Sequence, residues 1–152
     1  MDVNIYQVDA FTNEVFKGNP AGVCITEHGL DERMMLAIAA EMAVSETAFL
    51  ALDSMRLRWF TPETEVRLCG HGTLATAHIL QQLGRYNHGD SIAFHTLSGV
   101  LTAELDENCI HINLPAPELN MRAEINPELI KLLGIAPAHI VDYASFDTKQ
   151  LI

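Results

Sequence analysis

Two short stretches hold the residue types that could do chemistry. From Arg58 to Ala77 the chain reads RWFTPETEVRLCGHGTLATA, and inside it Cys69-Gly70-His71-Gly72-Thr73 runs straight into an apolar helical pattern. Glycines at 70 and 72 let the backbone approach a ligand, and a helix start offers unpaired amides with partial positive charge. That combination is a cradle for a small carboxylate. The same residues also read as a plain tight turn into a core helix. The Gly-Lys-Ser/Thr ending of a phosphate-binding loop is missing. The second stretch is Ser45-Glu46-Thr47. Glu46 lies between the apolar residues 42–44 and 48–52. A carboxylate partly withdrawn from water is the usual setting of a general acid/base, and a solvated loop glutamate is the plainer reading.

Cys69 has two readings of its own. A thiol just before a helix start can be acidified and reactive, or it can be a small buried hydrophobe on a strand. The three cysteines, Cys24, Cys69 and Cys109, form no Cys-x-x-Cys pair, so neither a disulfide framework nor a structural zinc site is expected. His78 sits within the helical pattern and reads as a hydrogen-bonded core histidine. His28, His88, His95, His111 and His139 are scattered without metal-ligand spacing. No metal and no cofactor are expected.

These groups must be held by the elements around them. VNIYQVDAF alternates like a strand, Gly18-Asn19-Pro20 marks a turn, and AGVCIT reads as a second strand. Asp31 can cap a helix whose Met34, Ile38 and Met42 form one apolar stripe. ETAFLAL and MRLRWF read as strands, the latter ended by Thr61-Pro62. Residues 73–83 are expected as a second helix closed by Gly84, apolar on nearly all sides and therefore surrounded. SIAFHTL, VLTAELD and CIHINLP follow as strands, then a short helix over 127–133 and a last strand, HIVDYAS. Many strands around one buried helix make an α+β domain with a mixed sheet.

The bulk numbers agree. At 152 residues the chain has the length of a single domain, and 49% hydrophobic with 19% charged residues is a globular composition. The net charge of −11, spread along the chain, argues against nucleic acid as a partner. No apolar run is long enough to span a bilayer, and the start does not read as a signal peptide. No membrane association is expected, and the cytoplasm is the default location.

VDAFTNEVFKGNPAGV, SETAFL and LRWFTPETEVRLCGHGTLATAH, in that order and spacing, resemble the successive signature segments of the PhzF-like phenazine-biosynthesis isomerases. The resemblance covers the first 80 or so residues. It implies one half of a diaminopimelate-epimerase-like fold, in which two similar halves each wrap a sheet around a central helix and the active site lies between them. It implies a cofactor-independent isomerase that moves protons on a small carboxylate-bearing metabolite, anthranilate-like in the founding activity. The family's catalytic glutamate falls on Glu46. Ser45, Gly70 and His71 match substrate-contacting positions, and Gly72, Thr73 and Asn19 complete the expected substrate-binding set. Family members are about twice this length, so the second half is expected to be absent. The chain is then expected to form a homodimer or to need that half. Two alternatives stand beside this reading. One is a proline-racemase-like enzyme using Cys69 as its acid/base; the other is a non-catalytic half-domain or oligomeric binding module.

Overall fold

The computed structural model describes residues 3–116, 120, 126–136, 138, 140, 144–146 and 149–151. The chain separates into two compact units, Met1–Pro115 and Ala116–Ile152. The junction falls in Leu114-Pro115-Ala116-Pro117, where prolines withhold the amide donors that a sheet needs.

In the first unit the order is β1 (Asn4–Ala10), β2 (Asn19–Thr26), α1 (Glu32–Met42), β3 (Thr47–Ala51), β4 (Arg56–Phe60) and β5 (Glu65–Val66). Then come α2 (Gly70–Gln82), β6 (Ser91–Thr96), β7 (Gly99–Leu105) and β8 (Ile110–Asn113). The strands form one mixed sheet in the order β1-β2-β3-β4-β6-β7-β8, with β5 pairing on β4. The β2–β3 and β4–β6 joins are parallel and the others antiparallel. Strands at both ends of this order, β1 and β8, touch α2, as do β2, β3 and β7, so the sheet curls around that helix. This is the α+β architecture expected of the sequence. In the second unit the described residues form α3 (Pro127–Leu132), capped by Asn126, and a hairpin of β9 (Ala144–Phe146) and β10 (Lys149–Leu151). Most of the expected strand HIVDYAS lies outside the described residues.

Burial explains which strands alternate and which do not. β6 and β7 alternate between buried and exposed positions because only one face is covered. β3 is buried at every position, since α1 lies on one face and α2 on the other. Toward α2 the chain packs Val23, Leu50, Trp59, Leu80, Phe94 and Leu101. Toward α1 it packs Cys24, Met35, Ala39, Phe49 and Phe60, with the two phenylalanine rings edge to face at 5.6 Å. Each such large side chain withdrawn from water contributes about 1.5–3 kcal/mol.

Asp31 caps α1 as expected, its Oδ1 accepting from Met34 N at 3.0 Å. The apolar stripe differs at its first position and is wider, however. Met35 and Ala39 are buried while Met34 is 40% exposed, because the face that meets β3 and β4 runs through 35, 38, 39 and 42. α2 also begins three residues earlier than the apolar pattern suggested, taking Gly70, His71 and Gly72 into its first turn. It is not enclosed on every side: Leu74 and His78 are half-buried and line a cleft of about 540 Å³ between the end of β1 and the β7–β8 turn. His78 is therefore a cleft residue and not the core histidine expected. At the other end Gly84 (φ +67°) closes the helix, its N–H donating to Gln81 O and that of Arg85 to Leu80 O, the double bond of a left-handed helix end.

α1 ends less comfortably. Ala43, its C-cap, has φ +53°, a left-handed conformation costing an L-residue with a Cβ about 1 kcal/mol. The turn carries the chain from α1 to Ser45 and Glu46, so the strain sits beside the candidate site. Ala43→Gly should raise unfolding stability by about 1 kcal/mol, read as a higher urea midpoint at unchanged slope.

Candidate active site

Glu46 lies between the end of α1 and the first residue of β3, held there by its main chain. Its carbonyl accepts from Gly22 N at 3.1 Å, which extends the β2–β3 ladder past the start of β3. His71 comes from the first turn of α2, on the opposite side of the sequence motif. The two side chains meet: His71 Nε2 is 3.4 Å from Glu46 Oε2 and 3.4 Å from Ser45 Oγ, while Nδ1 is 3.4 Å from Cys69 Sγ. The side chains of His71 and Glu46 retain 11% and 24% exposure, so the pair is largely sheltered yet reachable. Polar contacts of this length tighten when a substrate closes a site.

The start of α2 supplies the third component. Cys69 at the N-cap makes no side-chain capping bond, and the helix ladder begins only at Thr73, whose N–H donates to Cys69 O at 3.1 Å. The amides of Gly70, His71 and Gly72 have no carbonyl one turn earlier to receive them, which leaves partial positive charge beside the Glu46–His71 pair. No acidic residue occupies this first turn to neutralise it. Thr73, of the expected binding set, lies inside the first turn. Its side chain is fully buried and its hydroxyl donates to Cys69 O at 2.7 Å, so it fixes the helix start from inside. Asn19 opens β2, exposed, with its backbone paired to Ala10. Among the described residues no hydrogen bond joins it to Ser45, Glu46 or His71.

Two positioning features were not legible in the sequence. Gly72 packs on the indole of Trp59; a Cβ there would stand 2.9 Å from Trp59 Cδ1 and 3.0 Å from Cys69 Sγ. The glycine is thus demanded by close approach more than by any ligand. Trp59 Nε1 is itself buried without a hydrogen-bond partner beside this first turn. Arg58 is the other feature. It grips Glu65 through two bonds of 2.7 and 2.6 Å and reaches Glu32 of α1 at 3.1 Å, tying the β4–α2 connection to the sheet. An Arg and a Glu seven residues apart give no periodic sign of pairing.

Cys69 resolves toward the inert reading. It is buried, and burial pushes its thiol up to about 11; the facing amide of Gly72 pulls the other way, and the nearby Glu46 carboxylate adds to the rise. At pH 7 the thiolate fraction is then on the order of 10⁻⁴. Cys24, also buried, is pushed up to about 11 by the same loss of water.

The residues from 8 to 140 match the family model described as phenazine biosynthesis-like protein, PhzC-PhzF. The chain belongs to that family. A phenazine biosynthesis protein of the PhzF family from Enterococcus faecalis superposes with a TM-score of 0.73 at 41% identity, covering 88% of this chain and 52% of that one. An uncharacterised isomerase of Halalkalibacterium halodurans is 47% identical over 92% of this chain and 54% of its own length. A mouse phenazine biosynthesis-like domain-containing protein is 46% identical over the whole of this chain and 56% of its own. This PhzF-family chain therefore spans about half the length of the curated relatives it matches. Among the described residues no helix is long and apolar enough to cross a membrane.

Two outcomes check this geometry. Gly72→Ala should destabilise the fold by about 1–3 kcal/mol through overpacking against Trp59, measured by urea unfolding followed by circular dichroism. Ellman's reagent at pH 7 should titrate one thiol rapidly in the native protein, the exposed Cys109, and three once the chain is unfolded. A fast second thiol assigned to Cys69 would contradict its burial.

Proposed function

We propose that this chain supplies one wall of the active site of a PhzF-like isomerase, with Glu46 as the proton shuttle. The observation that carries the proposal is the Glu46–His71 contact at the open start of α2. In this reading the substrate's carboxylate lies against the amides of Gly70, His71 and Gly72. Glu46 takes a proton from a carbon made acidic by the neighbouring unsaturated acid, leaving its electron pair delocalised. The same carboxyl group then returns a proton to a different carbon, and nothing is oxidised or reduced. His71 orients Glu46: with the Cys69 thiol protonated, its S–H can face Nδ1, which directs an Nε2–H toward the carboxylate and Ser45. The protein is thereby an isomerase of small carboxylate-bearing metabolites that needs no redox group.

The second wall lies outside this chain in the same reading. Among the described residues, Ser45, Glu46 and His71 do not line the cleft of about 540 Å³, which is bounded by Leu74 and His78 further along α2. A family site between two similar halves agrees with so open an arrangement, and a homodimer or a second half would close it.

The test is exchange of carbon-bound hydrogen into deuterated solvent, followed by proton NMR over a panel of unsaturated and anthranilate-like acids. In the active assembly Glu46→Gln should slow exchange by about 10²–10⁴-fold, the usual value of a general acid/base. Cys69→Ser should cost far less. Near-normal exchange in Glu46→Gln would overturn the assignment, and the reverse order of effects would give the proton transfer to sulfur, as in the racemase-like alternative.

A further inference from the structure

A second cluster of donor atoms lies outside the site just described. On the β7–β8 hairpin, whose two-residue turn is Glu107-Asn108, Asp106 precedes the turn and Cys109 follows it. Cys109 and His111 are two residues apart on an extended chain, so their side chains leave the same face, while Ile110 between them packs on the core. That face is the outer one. His111 Nε2 lies 3.0 Å from Asp106 Oδ2 and 3.1 Å from Cys109 Sγ, and all three ligand atoms fall within 4.8 Å of one another. Glu104 pairs directly with His111 across the ladder and joins the same outer hollow.

We propose that Asp106, Cys109 and His111 form a binding site for a borderline-soft divalent ion of the zinc class, with Glu104 or water as fourth ligand. The donor set decides the chemistry. A thiolate and an imidazole select zinc, cobalt or their neighbours over magnesium and calcium, which take oxygen alone. The geometry is close to that of a loaded site. Tetrahedral bonds of roughly 2.0–2.3 Å place adjacent nitrogen, oxygen and sulfur ligands roughly 3.3–3.6 Å apart. The two pairs that share His111 Nε2 therefore open by only roughly 0.3–0.5 Å to admit the ion, and Asp106 and Cys109 lie within 4.8 Å of each other. Binding replaces the Cys109 thiol proton, which leaves to solvent, so affinity rises with pH. Glu46, Cys69 and His71 also bring three donor types together. There the sulfur is buried and holds its proton, which a metal would have to displace without water at hand.

Titration of the reduced full chain with Co²⁺ should give one equivalent of a species with a near-ultraviolet thiolate-to-cobalt charge-transfer band and visible bands of tetrahedral intensity. Zn²⁺ should displace it stoichiometrically and raise the thermal midpoint of the cobalt-free protein. Cys109→Ser and His111→Gln, both at exposed positions, should each abolish the charge-transfer band while leaving the far-ultraviolet circular dichroism unchanged. Glu104→Gln should weaken the complex if the carboxylate is the fourth ligand and leave it intact if water is. Cys69→Ser should keep the band. No band in the reduced wild type, or a band that survives Cys109→Ser and disappears in Cys69→Ser, would overturn the assignment.

Discussion

The first unit is organised by the need to enclose α2, a helix of thirteen residues without an aspartate, glutamate, lysine or arginine. A flat sheet covers only one side of such a helix, so the strands curl until β1 and β8 both reach it. Enclosure saturates the apolar flank but leaves the helix ends to be dealt with separately. The C-terminal end is closed by backbone bonds around Gly84. The N-terminal end is packed by Gly72 against Trp59 and tied from inside by Thr73, yet the amides of its first turn have no carbonyl one turn earlier to receive them. The contacts that seat α2 are thus the ones that hold its open end beside Glu46.

Much of this was legible in the sequence, for identifiable reasons. The strands of β6 and β7 alternate because only one face is covered, and period-two patterns survive in such strands. Asp31 and Gly84 announced helix ends through residue types that few other roles require. The apolar pattern misses the start of α2 because Gly70, His71 and Gly72 are poor helix formers, with Gly72 seated on Trp59 and Gly70 facing Ile112 and Leu114. The shift from Met34 to Met35 has a similar origin, since a helix with apolar residues at both positions is oriented by what it meets. Within the site, Ser45, Glu46 and His71 were legible through family resemblance, and their mutual distances only through the fold. The burial that quiets Cys69 and the buried hydroxyl of Thr73 depend on neighbours drawn from β4 and from the helix itself, which no local pattern records.

Two cysteine–histidine pairs in this unit show how strongly surroundings decide chemistry. Cys69 and His71 flank a glycine at the start of a buried helix, and Cys109 and His111 flank an isoleucine on an edge strand. Each pair has sulfur and nitrogen in contact, at 3.4 and 3.1 Å. Beside α2 the thiol is buried and the imidazole also touches the Glu46 carboxylate. On the hairpin both groups are exposed to water.

The alternation of pairing types in the sheet decides which contacts the Glu46–His71 pair depends on. β1–β2, β3–β4 with β5, and β6–β7–β8 are each antiparallel pieces built from neighbouring segments. The parallel joins β2–β3 and β4–β6 each bridge an intervening helix and stitch these pieces together. Each such join closes a loop whose entropic cost grows only slowly with its length, so the parallel ladders can tie distant pieces together. Glu46 is anchored at the first stitch by the amide of Gly22, and His71 arrives on the helix that bridges the second. The contact between Glu46 and His71 therefore depends on both parallel joins at once.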